Sequence, residues 1–241
     1  MKRVLIPIVL SVLTVTGFAQ VKKAIVPKKP TTVKVKPVLK TPVVKPVAGT
    51  RIKITTDSGI IVVRLYDKTP QHKANFIKLV GEHFYDSLIF HRVINEFMIQ
   101  GGDPGSKNAS YEMMLGGGDV GYMIPAEFDT TLYHKKGALA AARNNNPEKS
   151  SSGCQFYIVQ GKKYTDAELN QVEMQIGRKF SRIQRMVYKE KGGTPFLDMN
   201  YTVFGEVEKG LEVIDKIATV PKNQFDRPLG DVRMKMEIIK Q

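Results

Sequence analysis

Polar and apolar residues alternate over residues 51–56, and a largely apolar run follows over 60–66 after the triplet Asp57-Ser58-Gly59. A period of two on either side of a turn predicts a β-hairpin. Thr69-Pro70 then opens a segment in which Ala74, Ile77 and Val80 share one face and Gly81 precedes the end, which predicts a helix. Further strands are predicted over 90–94, 97–100, 137–141, 155–159, 201–204 and 232–239, and a second helix over 210–218. Many short strands with few helices point to a barrel or a sandwich.

One segment breaks the strand pattern. Thr165-Asp-Ala-Glu168 forms a capping box, and Leu169, Val172, Ile176, Phe180, Ile183 and Val187 follow at spacings of 3 and 4. This predicts a single helix over about 166–190, with Arg185 and Lys189 near its negative end and Gly192-Gly193 stopping it. An apolar stripe of this kind suits packing against the rest of the fold, and equally a lid or a surface for unfolded clients.

The first fifty residues follow a different pattern. Lys2 and Arg3 precede an apolar run from Val4 to Thr16, and Gly17-Phe18-Ala19 offers small residues at both cleavage positions. Residues 1–19 therefore read as a secretory signal peptide, since the run, which contains Pro7, falls short of the roughly 20 residues a membrane-spanning helix needs. The expected destination is the periplasm or the medium. Residues 20–49 are rich in Lys, Val, Pro and Thr and read as an extended, flexible linker. Such a linker is either a solvated spacer or a weak contact to an anionic envelope surface. Residues 50–241 form the folded domain.

The linker also changes the reading of charge. Of the formal charge of +14, eight lysines in the linker and two cations in the leader account for ten, which leaves +4 on residues 51–241. A domain with that charge does not call for nucleic acid. A single cysteine, Cys154, excludes an intramolecular disulfide.

Familiar catalytic sets are absent. Cys154 adjoins the apolar strand 155–159, where an inert buried thiol is expected, and no metal-ligand cluster stands out. The glycines at 101–105 and 116–118 lack the Gly-Lys-Ser/Thr ending of a phosphate loop and read as turns. His91 alternates with Arg92 and is expected on the opposite strand face, in a structural role.

What remains is Phe90-His-Arg-Val-Ile-Asn-Glu-Phe-Met-Ile-Gln-Gly-Gly-Asp-Pro104, a cluster of Arg, Gln and apolar residues. This run resembles the central signature of the cyclophilins. Ser152-Gly-Cys-Gln-Phe-Tyr157 and Phe196-Leu-Asp-Met-Asn-Tyr-Thr-Val-Phe-Gly205 resemble that family's two later signatures, in the same order. The match covers roughly 52–160 and 194–240, on either side of the predicted inserted helix.

The resemblance implies a mainly β fold: a closed eight-stranded antiparallel β-barrel capped by two helices, here with an inserted amphipathic helix. It implies a peptidyl-prolyl cis-trans isomerase acting on proline-containing polypeptides, without a cofactor, as a monomer. Carried over position by position, Arg92 is the catalytic arginine and Gln100 and Gln155 are polar groove residues. Phe97, Met98, Tyr157 and Leu197 wall the proline pocket, Phe196 and Tyr201 lie at its rim, and Ala142 and Arg143 offer backbone groups to the substrate. Isomerisation makes and breaks no covalent bond, so a residue set without a nucleophile suits it.

Four positions depart from the family pattern. Phe196 stands where the best-known members carry Trp, which weakens the expectation of high cyclosporin affinity, since that binding uses the indole. Tyr201 replaces a His at the rim, Tyr157 replaces a Phe whose added hydroxyl needs a partner, and Arg143 replaces an Asn. The rival readings are a binding or chaperone module that keeps the groove and holds unfolded clients through the inserted helix and basic linker, with catalysis incidental, and an envelope-tethered structural protein suggested by the linker alone.

Overall fold

The computed structural model describes residues 49–239, so the leader and nearly all of the linker lie outside the described residues. Its main element is an antiparallel sheet of eight strands, with β1 (Arg51–Thr56), β2 (Gly59–Leu65), β3 (Phe90–Ile94) and β4 (Met98–Gly101). A short β5 (Met123–Ile124) pairs with β7 (Ser151–Ser152) in a separate ribbon. The main sheet is completed by β6 (Ala138–Ala141), β8 (Phe156–Val159), β9 (Val203–Lys209) and β10 (Met234–Ile239), in the order β10-β1-β2-β9-β6-β8-β4-β3.

Alternation decides which face each side chain joins. In β1, Ile52 and Ile54 are fully buried while Arg51 and Lys53 are not. All eight strands contribute to one apolar cluster, so the sheet curls around it. Helices α1 (Pro70–Gly81) and α4 (Leu211–Ala218) add Phe76, Leu79, Val80, Val213, Ile214 and Ile217 to the same core. The outward face carries a second cluster, in which Met98 of β4, Ala138 and Ala140 of β6 and Tyr157 and Val159 of β8 meet Phe97, Leu197 and Tyr201.

Strands β3 and β10 end the sheet order without forming a ladder with each other. Their flanks approach through one bridge, Ile89 to Arg233, and through hydrogen bonds such as Phe90 N–H to Val232 O at 2.9 Å. The closed barrel expected from the sequence is thus reduced to a curled half-barrel sheet.

The single helix expected over 166–190 is two helices, α2 (Asp166–Ile176) and α3 (Arg182–Glu190). Gly177 ends α2 with φ 65°, a left-handed conformation that favours glycine. Ser181 then starts α3 with its own capping box, its hydroxyl accepting from the Gln184 N–H while the Gln184 side chain answers the Ser181 N–H. The break rotates the apolar stripe: Phe180 is buried, whereas Ile183 is 64% exposed. Tyr164, Leu169, Phe180 and Tyr188 form a small core of their own, joined by Tyr133 from outside the insertion.

Candidate functional site

The outward cluster is not sealed. Arg92, Phe97, Met98, Gln100, Ala142, Arg143, Tyr157, Leu197 and Tyr201 line a depression of about 120 Å³ on the convex side of β4, β6 and β8. Nine of the eleven residues singled out from the sequence therefore meet in one cavity. The other two stand beside it: Phe196 stacks on Phe97 with ring centroids 5.8 Å apart, and Gln155 lines an adjoining depression of about 490 Å³. Tyr201 belongs to the wall, meeting Tyr157 edge-on at 5.9 Å under the Arg143 guanidinium, 4.8 Å above its ring.

The cavity joins an apolar wall to two cations, Arg143 over the Tyr201 ring and Arg92 at the side of Gln100. The Arg92 side chain is 42% exposed and is held between two acceptors, Gln100 Oε1 at 3.4 Å and Asp226 Oδ2 at 3.8 Å. Gln100 in turn donates through Nε2 to Gln155 Oε1 at 3.1 Å, and Gln155 donates to the carbonyls of Gly116 and Gly118 at 2.9 and 2.7 Å. Each donor in this series points one way, so the backbone carbonyls fix both amides and leave Gln100 Oε1 for the guanidinium. Asp226 carries no sequence signal: it lies in a loop at φ 64° and is tied by Lys222 at 2.7 Å.

The two backbone positions differ. Ala142 N–H donates to Gln155 O at 2.9 Å and its carbonyl accepts from Ser152 N–H at 2.8 Å, whereas none of the backbone hydrogen bonds among the described residues uses Arg143. Arg143 is the more available of the two to a bound chain. A larger depression of about 600 Å³ adjoins both cavities, sharing Arg92, Gln100 and Arg143 with the pocket and Gly116 with the second depression, and adding Tyr111, Met113, Met114 and Phe225.

His91 lines that larger depression together with Arg92, against the expectation that it faces away. The cause is a register shift between Phe90 and Arg92 in the pairing of β3 with β4, which breaks strict alternation. His91 is 3% exposed with neither ring nitrogen hydrogen-bonded, and burial, more than the opposing pull of Asp103, lowers its pKa to about 4.

The Tyr157 hydroxyl has a partner. It lies 3.0 Å from His134 Nε2, while His134 Nδ1 lies 2.9 Å from Asp198 Oδ1. With the Nδ1 proton directed at the carboxylate, Nε2 accepts from the phenol, and Tyr157 turns its ring rather than its O–H toward the cavity. Neither His134 nor Asp198 stands out in the sequence.

Two other reactive-looking groups have no room to act. His72 Nδ1 lies 2.6 Å from Glu127 Oε2 and its Nε2 2.9 Å from Ser151 Oγ, the wiring of a hydrolytic triad. Ser151 is 1% exposed, however, and the cavity beside His72 holds about 10 Å³. Cys154 is also buried, and burial pushes its thiol up to about 11. Among the described residues, no cluster of three or more His, Cys, Asp or Glu could hold a metal ion.

Comparison with known proteins agrees with this arrangement. Residues 51–238 match the family described as cyclophilin type peptidyl-prolyl cis-trans isomerase/CLD. A protein of Staphylococcus aureus named as a peptidyl-prolyl cis-trans isomerase is 35% identical over 183 residues, which cover 76% of this chain and 87% of that protein. A Streptococcus pyogenes protein named as a bifunctional phosphatase/peptidyl-prolyl cis-trans isomerase is 39% identical over 188 residues, or 37% of its own length. Among solved structures, a Cryptosporidium parvum cyclophilin type peptidyl-prolyl cis-trans isomerase superposes with a TM-score of 0.61 at 22% identity, covering 80% of this chain and 99% of that one. A second structure of that protein, determined in the presence of the dipeptide Ala-Pro, gives a TM-score of 0.57.

Proposed function

The chain belongs to the cyclophilin-type peptidyl-prolyl cis-trans isomerase family and accelerates rotation about X-Pro bonds; we propose that it does so at the pocket between Arg92 and Tyr157, on proteins folding outside the cytoplasm. The observation that carries the assignment of the site is an apolar cavity of about 120 Å³ with the Arg92 guanidinium at its edge, next to Gln100.

The obstacle to rotation is amide resonance, which sets a barrier of about 18–20 kcal/mol and makes uncatalysed exchange take roughly 10–100 s. Resonance separates charge, so an environment that removes water from the carbonyl weakens it. Phe97, Met98, Leu197 and the Tyr157 ring supply that environment for the proline ring. As the bond twists, the proline nitrogen pyramidalises and gains a lone pair that the planar amide lacks. A donor held at that place binds the twisted state more tightly than the ground state, which is what lowers a barrier. Arg92 is that donor, and Gln100 and Asp226 keep its guanidinium from turning away. The two larger depressions adjoin the pocket through Gln100 and Arg143, and with the free Arg143 backbone they suit an extended chain crossing the site.

Lys2, Arg3, the apolar run after them and Gly17-Phe18-Ala19 support export, with cleavage after Ala19. We read the mature protein as a monomer that acts on proline-containing chains, needs no cofactor and does not bind nucleic acid, its basic linker touching anionic envelope surface weakly if at all.

The test is exchange NMR on a short X-Pro peptide with the mature protein and with Arg92→Ala at matched folding by circular dichroism. Loss of a transition-state contact to a charged donor predicts a fall in kcat/KM of at least about 100-fold. Full activity in Arg92→Ala would remove this site from the reaction.

A further inference from the structure

We propose that His134 and Asp198 are positioning residues that hold the Tyr157 ring in the pocket wall, and that Tyr188 and Arg178 tie this pair to the inserted helices, so that the insertion sets the shape of the proline pocket. The inference rests on the reading of that pocket as the reaction site.

The Asp198 carboxylate is 1% exposed. Its Oδ1 accepts from the backbone N–H and the ring of His134, both at 2.9 Å. Its Oδ2 accepts from the Tyr188 hydroxyl at 2.8 Å and from the Arg178 guanidinium at 3.3 Å. Tyr188 lies in α3 and Arg178 in the link between α2 and α3, so one carboxylate oxygen is satisfied entirely by the insertion. A buried carboxylate that lost those two donors would move toward others, because a buried acceptor left without partners is costly.

Any such movement is passed to the pocket through contacts that leave little slack. His134 is fully buried, its ring lies nearly parallel to Tyr157 at 6.0 Å and 12°, and its Nε2 holds the Tyr157 hydroxyl. Tyr157 is 5% exposed in β8 and lines the pocket, so the contact to its hydroxyl fixes one end of a ring in the wall. A cavity of this size matches a five-membered ring, and displacements well under 1 Å at such a wall change how a substrate is held. A cyclophilin with Phe at this position has no hydroxyl to tether. The Tyr157 hydroxyl and the insertion therefore make one device.

The experiment is a double-mutant cycle in kcat/KM, read by exchange NMR per folded molecule of the mature chain. Tyr188→Phe removes one donor to Asp198, and Arg178→Met, at the accessible edge, removes the other if the first variant folds poorly. Each is expected to lower kcat/KM on the order of fivefold, chiefly through KM, and Tyr157→Phe by a similar factor. In a Tyr157→Phe background neither should cause further loss, because the tether is already cut. A purely structural role would lower stability equally in both backgrounds and leave kcat/KM per folded molecule alone. Unchanged kcat/KM in both Tyr188→Phe and Arg178→Met, or a loss that persists in full beside Tyr157→Phe, would overturn the proposal. Arg92→Ala separates the two readings: its inactivity with unaltered Tyr188→Phe defeats only the positioning role, whereas its full activity defeats both.

Discussion

His72 and His134 each present Nδ1 to a carboxylate and Nε2 to a hydroxyl, at 2.6 and 2.9 Å in the first case and 2.9 and 3.0 Å in the second. Both rings are buried. They differ in where the chain of contacts ends. Glu127 accepts from the His72 ring and from the backbone N–H groups of Gln71 and His72, so it satisfies the first turn of α1, which has no acidic residue of its own and no cap from Thr69. That network closes on Ser151, which is 1% exposed, and the space beside His72 holds about 10 Å³, roughly enough for one water. The His134 network ends on an aromatic ring that faces a groove. Identical wiring thus serves to staple a helix in one place and to position a pocket wall in the other, and access to solvent is what separates the two.

Removing each carboxylate should have different consequences in the two networks. Asp198→Ala leaves a guanidinium, a phenol and an imidazole without their acceptor and should cost about 3–5 kcal/mol in denaturant unfolding, with kcat/KM per folded molecule falling as well. Glu127→Ala loses a helix-terminal anion and orphans His72 Nδ1, a cost of about 2–3 kcal/mol, with kcat/KM per folded molecule within twofold of wild type. Comparable catalytic losses in the two variants would erase the distinction. The staple is also expected to weaken in acid. Burial alone would raise the Glu127 pKa, but its bonds from His72 and Gln71 outweigh burial and hold it below the ordinary 4.5. Its folded value being depressed, this contribution is present above pH 4.5 and fades as pH falls through the lower value.

His91 sharpens the comparison, because it is buried with no carboxylate partner among the described residues. Burial lowers its pKa from 6.5 to about 4, with Arg92 and Arg227 acting in the same direction and Asp103 against it. The unfolded chain therefore binds a proton between pH 6.5 and 4 that the folded chain refuses. Stability is fully present above pH 6.5 and declines as pH falls toward 4, by at most on the order of 3 kcal/mol from this residue. Urea titrations at pH 7 and pH 4.5 should show the decline in wild type, and His91→Leu should flatten it. An equal decline in His91→Leu would assign it to other groups.

The outcome also marks how far local pattern reaches. Alternation was enough to predict the hairpin of β1 and β2, whereas the pocket residues were named through the likeness of three runs to the cyclophilin signatures, the first of which holds Arg92, Phe97, Met98 and Gln100. The His91 face was not legible, since a bulge leaves no trace in periodicity. The two-residue strands β5 and β7 are too short for any period to show. Gly177 and the Ser181 to Gln184 pair carry stop and start signals for helices, yet an apolar stripe read by spacing alone runs across them. His134 and Asp198 lie 64 residues apart and acquire meaning only when the chain brings them to 2.9 Å.

The smallest predicted effect bears on the likeness of His72, Glu127 and Ser151 to a catalytic triad. A nucleophile must reach its substrate, and a serine that is 1% exposed cannot do so without opening the fold. Ser151→Ala should then cost about 1 kcal/mol, the worth of one hydrogen bond to a buried imidazole, and leave X-Pro exchange unchanged. With p-nitrophenyl acetate as a probe, wild type and Ser151→Ala should hydrolyse the ester at the same background rate. A Ser151-dependent rate would show that the enclosed network opens to substrate, and the contrast with His134 would then lie in the chemistry of the two sites and no longer in their access to solvent.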